Sequence, residues 1–185
     1  MKYRVLNRHK IDWWIDYETL MAQYTQSAFL DWTVEAEISV VEKRFREYFV
    51  NIMNELHQCG NDNSSLYFTR FTPENDECLR GKFSTKWEPR FSVTVNTWKY
   101  DKDKTYIFRA GWTEEGAQEQ IPYKVVYPPQ SAELNDEVIQ IPNNPSSLLK
   151  IRYGDDWKRE QLIAPMFYRP DLVWGSQEMR KIYDK

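Results

Sequence analysis

The alternation of apolar and polar positions is clearest between Trp13 and Val40. Trp13–Tyr17 is a compact aromatic and aliphatic run of strand type. Glu18–Ser27 places Leu20, Met21 and Tyr24 on one side, which is helical spacing. Phe29–Trp32 bridges to a second strand. That strand sets Glu35, Glu37 and Ser39 on one face and Ala36, Ile38 and Val40 on the other. The strongest helix follows, from Glu42 to about Cys59. Val41, Phe45, Phe49, Ile52, Met53 and Leu56 form one apolar stripe, and Gly60 is placed to end it.

After a polar loop, NDNSS, the pattern turns to strands. Leu66–Phe71 and Phe83–Trp87 read as strands, separated by the turn TPENDE. In Phe91–Trp98 the residues Phe91, Val93 and Val95 alternate with Ser92, Thr94 and Asn96. Asp101–Lys104 is a charged hairpin tip, with Lys104–Ala110 as its return strand. Regular pattern fades from Gly111, where Pro122, Pro128 and Pro129 favour extended or looped backbone. Val138–Ile141 is a short strand. Pro145 suits the first turn of a helix capped by Asn144 and running to Gly154. The elements predict a single α+β domain over residues 1–157, with 158–185 as a C-terminal extension draped on it.

Composition narrows the function. The chain has 185 residues, enough for one core, and 8 Trp, 12 Tyr and 9 Phe to fill it or to line a stacking groove. Acids outnumber bases, 28 to 25, and no basic face stands out, so a nucleic-acid partner is not expected. No apolar run has the roughly 18 residues of a membrane helix, and the basic start MKYRVLNRHK lacks the apolar core of a signal peptide. Cys59 and Cys78 have no neighbouring ligands at zinc spacing, and either a disulfide or two free thiols is open. His9 and His57 are not expected to be catalytic. Asp155 and Asp156 oppose the dipole at a helix end, so a partner such as Arg152 or Lys158 is expected.

The candidate chemistry lies in Glu35 and Glu37. Acids at i and i+2 on a strand share a face, where they raise each other's proton affinity or share a metal. A solvated strand face is the plain alternative.

Three landmarks then resemble one family. WWIDYETLMAQYTQSAFLDWTVEAEISV resembles the opening of the LicD/fukutin family, an aromatic strand, a Y-G-T-L-L-G turn into a helix and an acidic strand. Val95–Asp101 (VNTWKYD) is similar to its second landmark strand. VVYPP with IQIPNNPSSLLKIRYGDDW resembles its closing segment, ending at Trp157. The order and spacing agree over about residues 12–157. The resemblance implies a nucleotidyltransferase-like mixed sheet flanked by helices. It also implies transfer of a phospho-substituent, of phosphorylcholine or polyol-phosphate type, from a CDP-activated donor to a glycan acceptor. Glu35 and Glu37 stand where the family carries its D-x-D pair, so the resemblance gives them catalytic and metal-binding roles with Mg²⁺ or Mn²⁺. Asn96 falls at the third acid and would complete the metal shell. Thr19 keeps the hydroxyl of the turn that would hold donor phosphate.

The same alignment shows departures. Glu18 replaces a turn glycine, Ala22 another glycine and Thr25 a basic residue. Thr33 and Val34 replace acids, and Asn96 brings no charge. A second reading is therefore a catalytically impaired member acting as a binding or assembly partner, and a third is a fragment lacking an N-terminal helix or anchor. The resemblance leaves the secretory pathway, including the Golgi, open as a location.

Overall fold

The computed structural model describes residues 3–29, 35–58, 66–70, 81–85, 92–110 and 120–158. The chain starts with α1 (Tyr3–Arg8), then β1 (Trp13–Ile15), α2 (Tyr17–Gln26) and β2 (Glu35–Val41). Next come α3 (Glu42–Glu47), α4 (Phe49–Gln58), β3 (Leu66–Arg70), β4 (Gly81–Thr85), β5 (Ser92–Tyr100) and β6 (Tyr106–Arg109). The described part closes with β7 (Gln120–Pro122), α5 (Tyr123–Val126), β8 (Gln130–Leu134), β9 (Glu137–Ile141) and α6 (Pro145–Tyr153). This is one mixed α+β domain, as the sequence predicts.

The main sheet runs β1-β2-β5-β4-β3, and β6 and β7 continue it from β5. Only β2 and β5 pair in parallel among its ladders; the others are antiparallel. One flank of β5 is shared: its first half pairs with β4 and its last three residues with β6. The parallel register sets Glu35 opposite Ser92, Glu37 opposite Thr94 and Ser39 opposite Asn96. Paired residues share a face, so the polar stripe of β2 lies beside the polar stripe of β5.

The opposite face is dry. Val5 and Leu6 of α1, Phe45 of α3, and Ile52 and Leu56 of α4 close over Ile38, Phe83 and Val93, around a small apolar void of about 30 Å³. The polar face is covered by α2, α5 and α6. Trp14, Leu20, Trp98, Leu148 and Leu149 are fully buried.

Four expectations change. The helix foreseen from Glu42 to Cys59 is two helices. They meet at Tyr48, whose φ of −99° and ψ of 7° leave the helical region. At the break Phe45 stays in the core, while Phe49 packs edge-on against both Phe45 and Phe68. One straight stripe would have to serve both partners. The start, to which the sequence pattern assigns no element, contains α1. The region read as patternless beyond Gly111 contains β7, α5 and a complete β8–β9 hairpin, of which only the second strand is legible in the sequence. The first strand is mostly exposed and carries little apolar alternation. Finally, Asp155 pairs with Lys150 at 2.5 Å and not with Arg152 or Lys158.

Elsewhere the predicted elements stand within a few residues of their expected bounds, and Asn144 caps α6 by accepting from the Ser147 amide at 3.1 Å. Gly154 ends α6 at φ 86°, a conformation glycine adopts without strain. Gly60, the NDNSS loop, the TPENDE turn, Cys59, Cys78 and the expected extension beyond residue 158 lie outside the described residues.

Candidate functional site

The site is built where α2 starts against the first half of β2. Asp16 precedes α2 with extended backbone, φ −139°, and its Oδ1 accepts from the Tyr17 amide at 2.9 Å. Tyr17 then takes φ 50°, a left-handed conformation that a bulky side chain adopts at a cost. The turn is tied to Glu37 of β2 at three points. The Asp16 amide donates to the Glu37 carbonyl at 3.1 Å. The Glu37 amide donates to Thr19 Oγ1 at 2.8 Å. The Glu18 amide donates to Glu37 Oε2 at 3.3 Å. So Thr19, expected at a donor phosphate, is fully buried here and its oxygen receives the Glu37 amide.

Glu35 and Glu37 are both half-buried on the polar face. Glu35 accepts a hydrogen bond from Thr94 Oγ1 and has Lys82 Nζ at 3.8 Å. Glu37 has acid neighbours. Burial first, then repulsion from Glu18, Asp16 and Glu35, pushes its carboxyl up to about 8, against the opposing Glu18 amide. Glu18 is raised too, by burial and then by Glu35. Its side chain still meets solvent, so the Glu35 repulsion is the cause that persists.

Asn96 is 1% exposed, and among the described residues neither its Oδ1 nor its Nδ2 has a partner. It is diagonal to Glu37 across the β2–β5 ladder. Ser92 and Asn96 mark the two ends of this stretch of β5, about 13 Å apart along the strand. Glu35 sits at the Ser92 end. Glu37 therefore lies between Glu35 and Asn96. Among the described residues no group of three or more His, Cys, Asp or Glu stands ready to hold a metal ion. The donor set nonetheless suits a hard cation: two carboxylates crowded enough to repel, and an amide oxygen whose buried polarity is unanswered.

Beneath this face lies a second network. Asp16 is fully buried and takes five donors. Arg152 Nε and Nη2 reach it at 3.2 and 2.7 Å. Ser39 Oγ donates at 2.7 Å and Trp14 Nε1 at 3.3 Å, with the Tyr17 amide as the fifth. Trp98 Nε1 in turn donates to Ser39 Oγ at 2.9 Å. The Arg152 guanidinium also stacks over the Tyr17 ring, 4.2 Å from its centre, and lies 4.9 Å from that of Trp98. Burial works against the Arg152 charge, and Asp16 and Tyr17 outweigh it, holding the arginine protonated. Arg109 donates to the Tyr17 hydroxyl at 2.5 Å. Next to Arg152, the Tyr153 phenol is pushed up by burial first and then by the charges of Glu37, Glu18 and Asp16.

Comparison with known proteins then decides the family. A family model described as LicD/FKTN/FKRP, nucleotidyltransferase domain, matches residues 10–144. The chain is a LicD-family protein. A search of curated proteins found no match. The LicD match runs from just before β1 into the N-cap of α6, so it takes in Asp16, Thr19, Glu35, Glu37 and Asn96. Membership in the LicD family implies a transferase role of glycan or phosphocholine type. Among the described residues no helix is long and apolar enough to cross a membrane.

Sequence reading missed Asp16, Ser39, Arg109, Arg152 and Tyr153. Two of them had signals. Asp16 stands directly before a helix, in the position of a cap. Arg152 falls four residues after Leu148, which puts it on the buried side of α6 with that leucine.

Proposed function

We propose that the chain is a metal-dependent phosphotransferase. It would move a phosphorylcholine or polyol-phosphate group from a CDP-activated donor to a glycan. The observation that carries this reading is the crowded pair Glu35 and Glu37 beside the unpartnered, buried Asn96 amide, at the start of α2 in a LicD-family domain. Glu37 would be the shared ligand, paired with Glu35 on β2 or with the diagonal Asn96 Oδ1 on β5, since those two lie too far apart to bind one ion together. A bound Mg²⁺ or Mn²⁺ supplies charge neutralisation for the donor phosphates and the leaving group. To ligate a cation Glu35 would have to exchange its contacts with Thr94 and Lys82, and the Lys82 charge beside it would suit a donor phosphate. Thr19 holds the Glu37 backbone and so would help fix where that carboxylate points.

Glu18 is the specific observation for a second reading. A carboxylate at the turn repels phosphate, and Asn96 brings no charge to the cation. An impaired family member that binds a partner in place of a donor would keep the network around Asp16 and lose ligand binding. Thermal melting separates the two readings. Mn²⁺ together with CDP raises the melting temperature of a transferase of this design, because a ligand held only by the folded state stabilises it. Unchanged melting with Mn²⁺, with CDP and with both favours the impaired member.

A further inference from the structure

Glu37 owes its position to α2. Its carbonyl, amide and side chain each bond to the Asp16–Thr19 turn, at 3.1, 2.8 and 3.3 Å. That turn would not hold itself. Tyr17 has a left-handed φ of 50°, and no glycine is there to accept it. Such a conformation persists where surrounding contacts over-determine it. Besides Ser39 and Trp14 on Asp16, the contacts come from α6 and β6. Arg152 grips both oxygens of Asp16 and lies flat over the Tyr17 ring. Arg109 fixes the Tyr17 hydroxyl from β6.

We propose that Arg152 is a positioning residue of the transferase site, acting through Asp16 and Tyr17 to hold the α2 turn that sets Glu37. The proposal rests on the transferase reading for the word site, but the mechanical coupling stands on these contacts alone. It gives a reason for a charge buried at 7% exposure, where an apolar side chain could fill the same space. It also makes α6 a working part of the site, since Arg152 fixes the turn.

Two variants and two readouts test it on the full chain. Arg152→Lys keeps the charge but cannot reach both Asp16 oxygens with a planar fork. Asp16→Leu with Arg152→Met replaces the pair by apolar bulk, an exchange that often preserves folding. The first readout is amide hydrogen exchange. Exchange is expected to speed up at Asp16, Glu18 and Glu37, whose amides make or border the three bonds, with Val95 and Ile107 in the core unchanged. The second is Mn²⁺ affinity by calorimetry, expected to fall about tenfold or more, as when residues supporting a ligand are removed.

Unchanged exchange at those three amides, or an even rise that includes Val95 and Ile107, overturns the proposal. So does wild-type Mn²⁺ affinity in a variant whose turn amides exchange faster. If the wild-type chain binds no Mn²⁺, the transferase reading falls, and the exchange pattern alone decides whether Arg152 sets the turn.

Discussion

Arg152 and Asp16, 136 positions apart, meet as a buried ion pair with two nitrogen–oxygen contacts. The pair joins the last described helix to the turn before the second. Removing one member strands the other charge away from water. Arg152→Met alone is expected to cost about 3–5 kcal/mol of folding stability. Urea unfolding measures it, and a loss below about 1 kcal/mol would show that the site relaxes around the lone Asp16.

Ser39 links that pair to the centre of the sheet, because one hydroxyl donates to Asp16 and accepts from Trp98. Ser39→Ala leaves the buried indole N–H without its acceptor. A loss of about 1–3 kcal/mol is expected, the usual cost of an unsatisfied buried group. Equal stability in chemical denaturation would mean that the indole finds another acceptor.

Glu37 predicts a pH dependence. Its folded carboxyl is raised to about 8, from a reference of 4.5, by burial and by Glu18, Asp16 and Glu35. The folded state therefore holds this proton more tightly than the unfolded chain. Its contribution to stability is full below about pH 4.5 and is lost as pH climbs through about 8. In metal-free buffer, Glu37→Gln should flatten the fall in stability between those limits. If the variant and wild type fall in parallel, the raised carboxyl is not Glu37.

Asn96 offers a gain-of-function test. Asn96→Asp returns a negative charge to the third position of the acidic set. Mn²⁺ affinity should rise, since ligand charge raises the affinity of oxygen sites for hard cations. Metal-free stability should fall, because a third carboxylate joins an already crowded face. A variant that loses stability without gaining affinity places the cation elsewhere.

Much of this fold is legible in the sequence because its strands alternate. Glu35, Glu37 and Ser39 face one way, as their spacing predicts, and Asn96 joins them on β5. The capped α6 is legible for the same kind of local reason, with Asn144, Pro145 and Gly154 each at a telling position. What the sequence hides is what only tertiary contact creates. Asp16 looks like a strand end, yet it gathers donors from β1, β2, α2 and α6. Arg152 looks like a surface cation near Asp155, and burial on α6 sends it inward. Of the β8–β9 hairpin only Val138–Ile141 announces itself by its apolar residues; β8 is mostly exposed and carries one buried residue, Leu134. Thr19 keeps the residue type expected of a phosphate turn, while its burial against Glu37 depends on how α2 sits on β2.

The most direct measurement is a calorimetric titration of Mn²⁺ into the wild-type chain and into Glu35→Gln/Glu37→Gln, at a pH above 8, where the Glu37 carboxyl is ionised. The expected result is one Mn²⁺ site in the wild type and none in the double variant. An equal site in both, or no binding by the wild type, would contradict a cation site on these two glutamates.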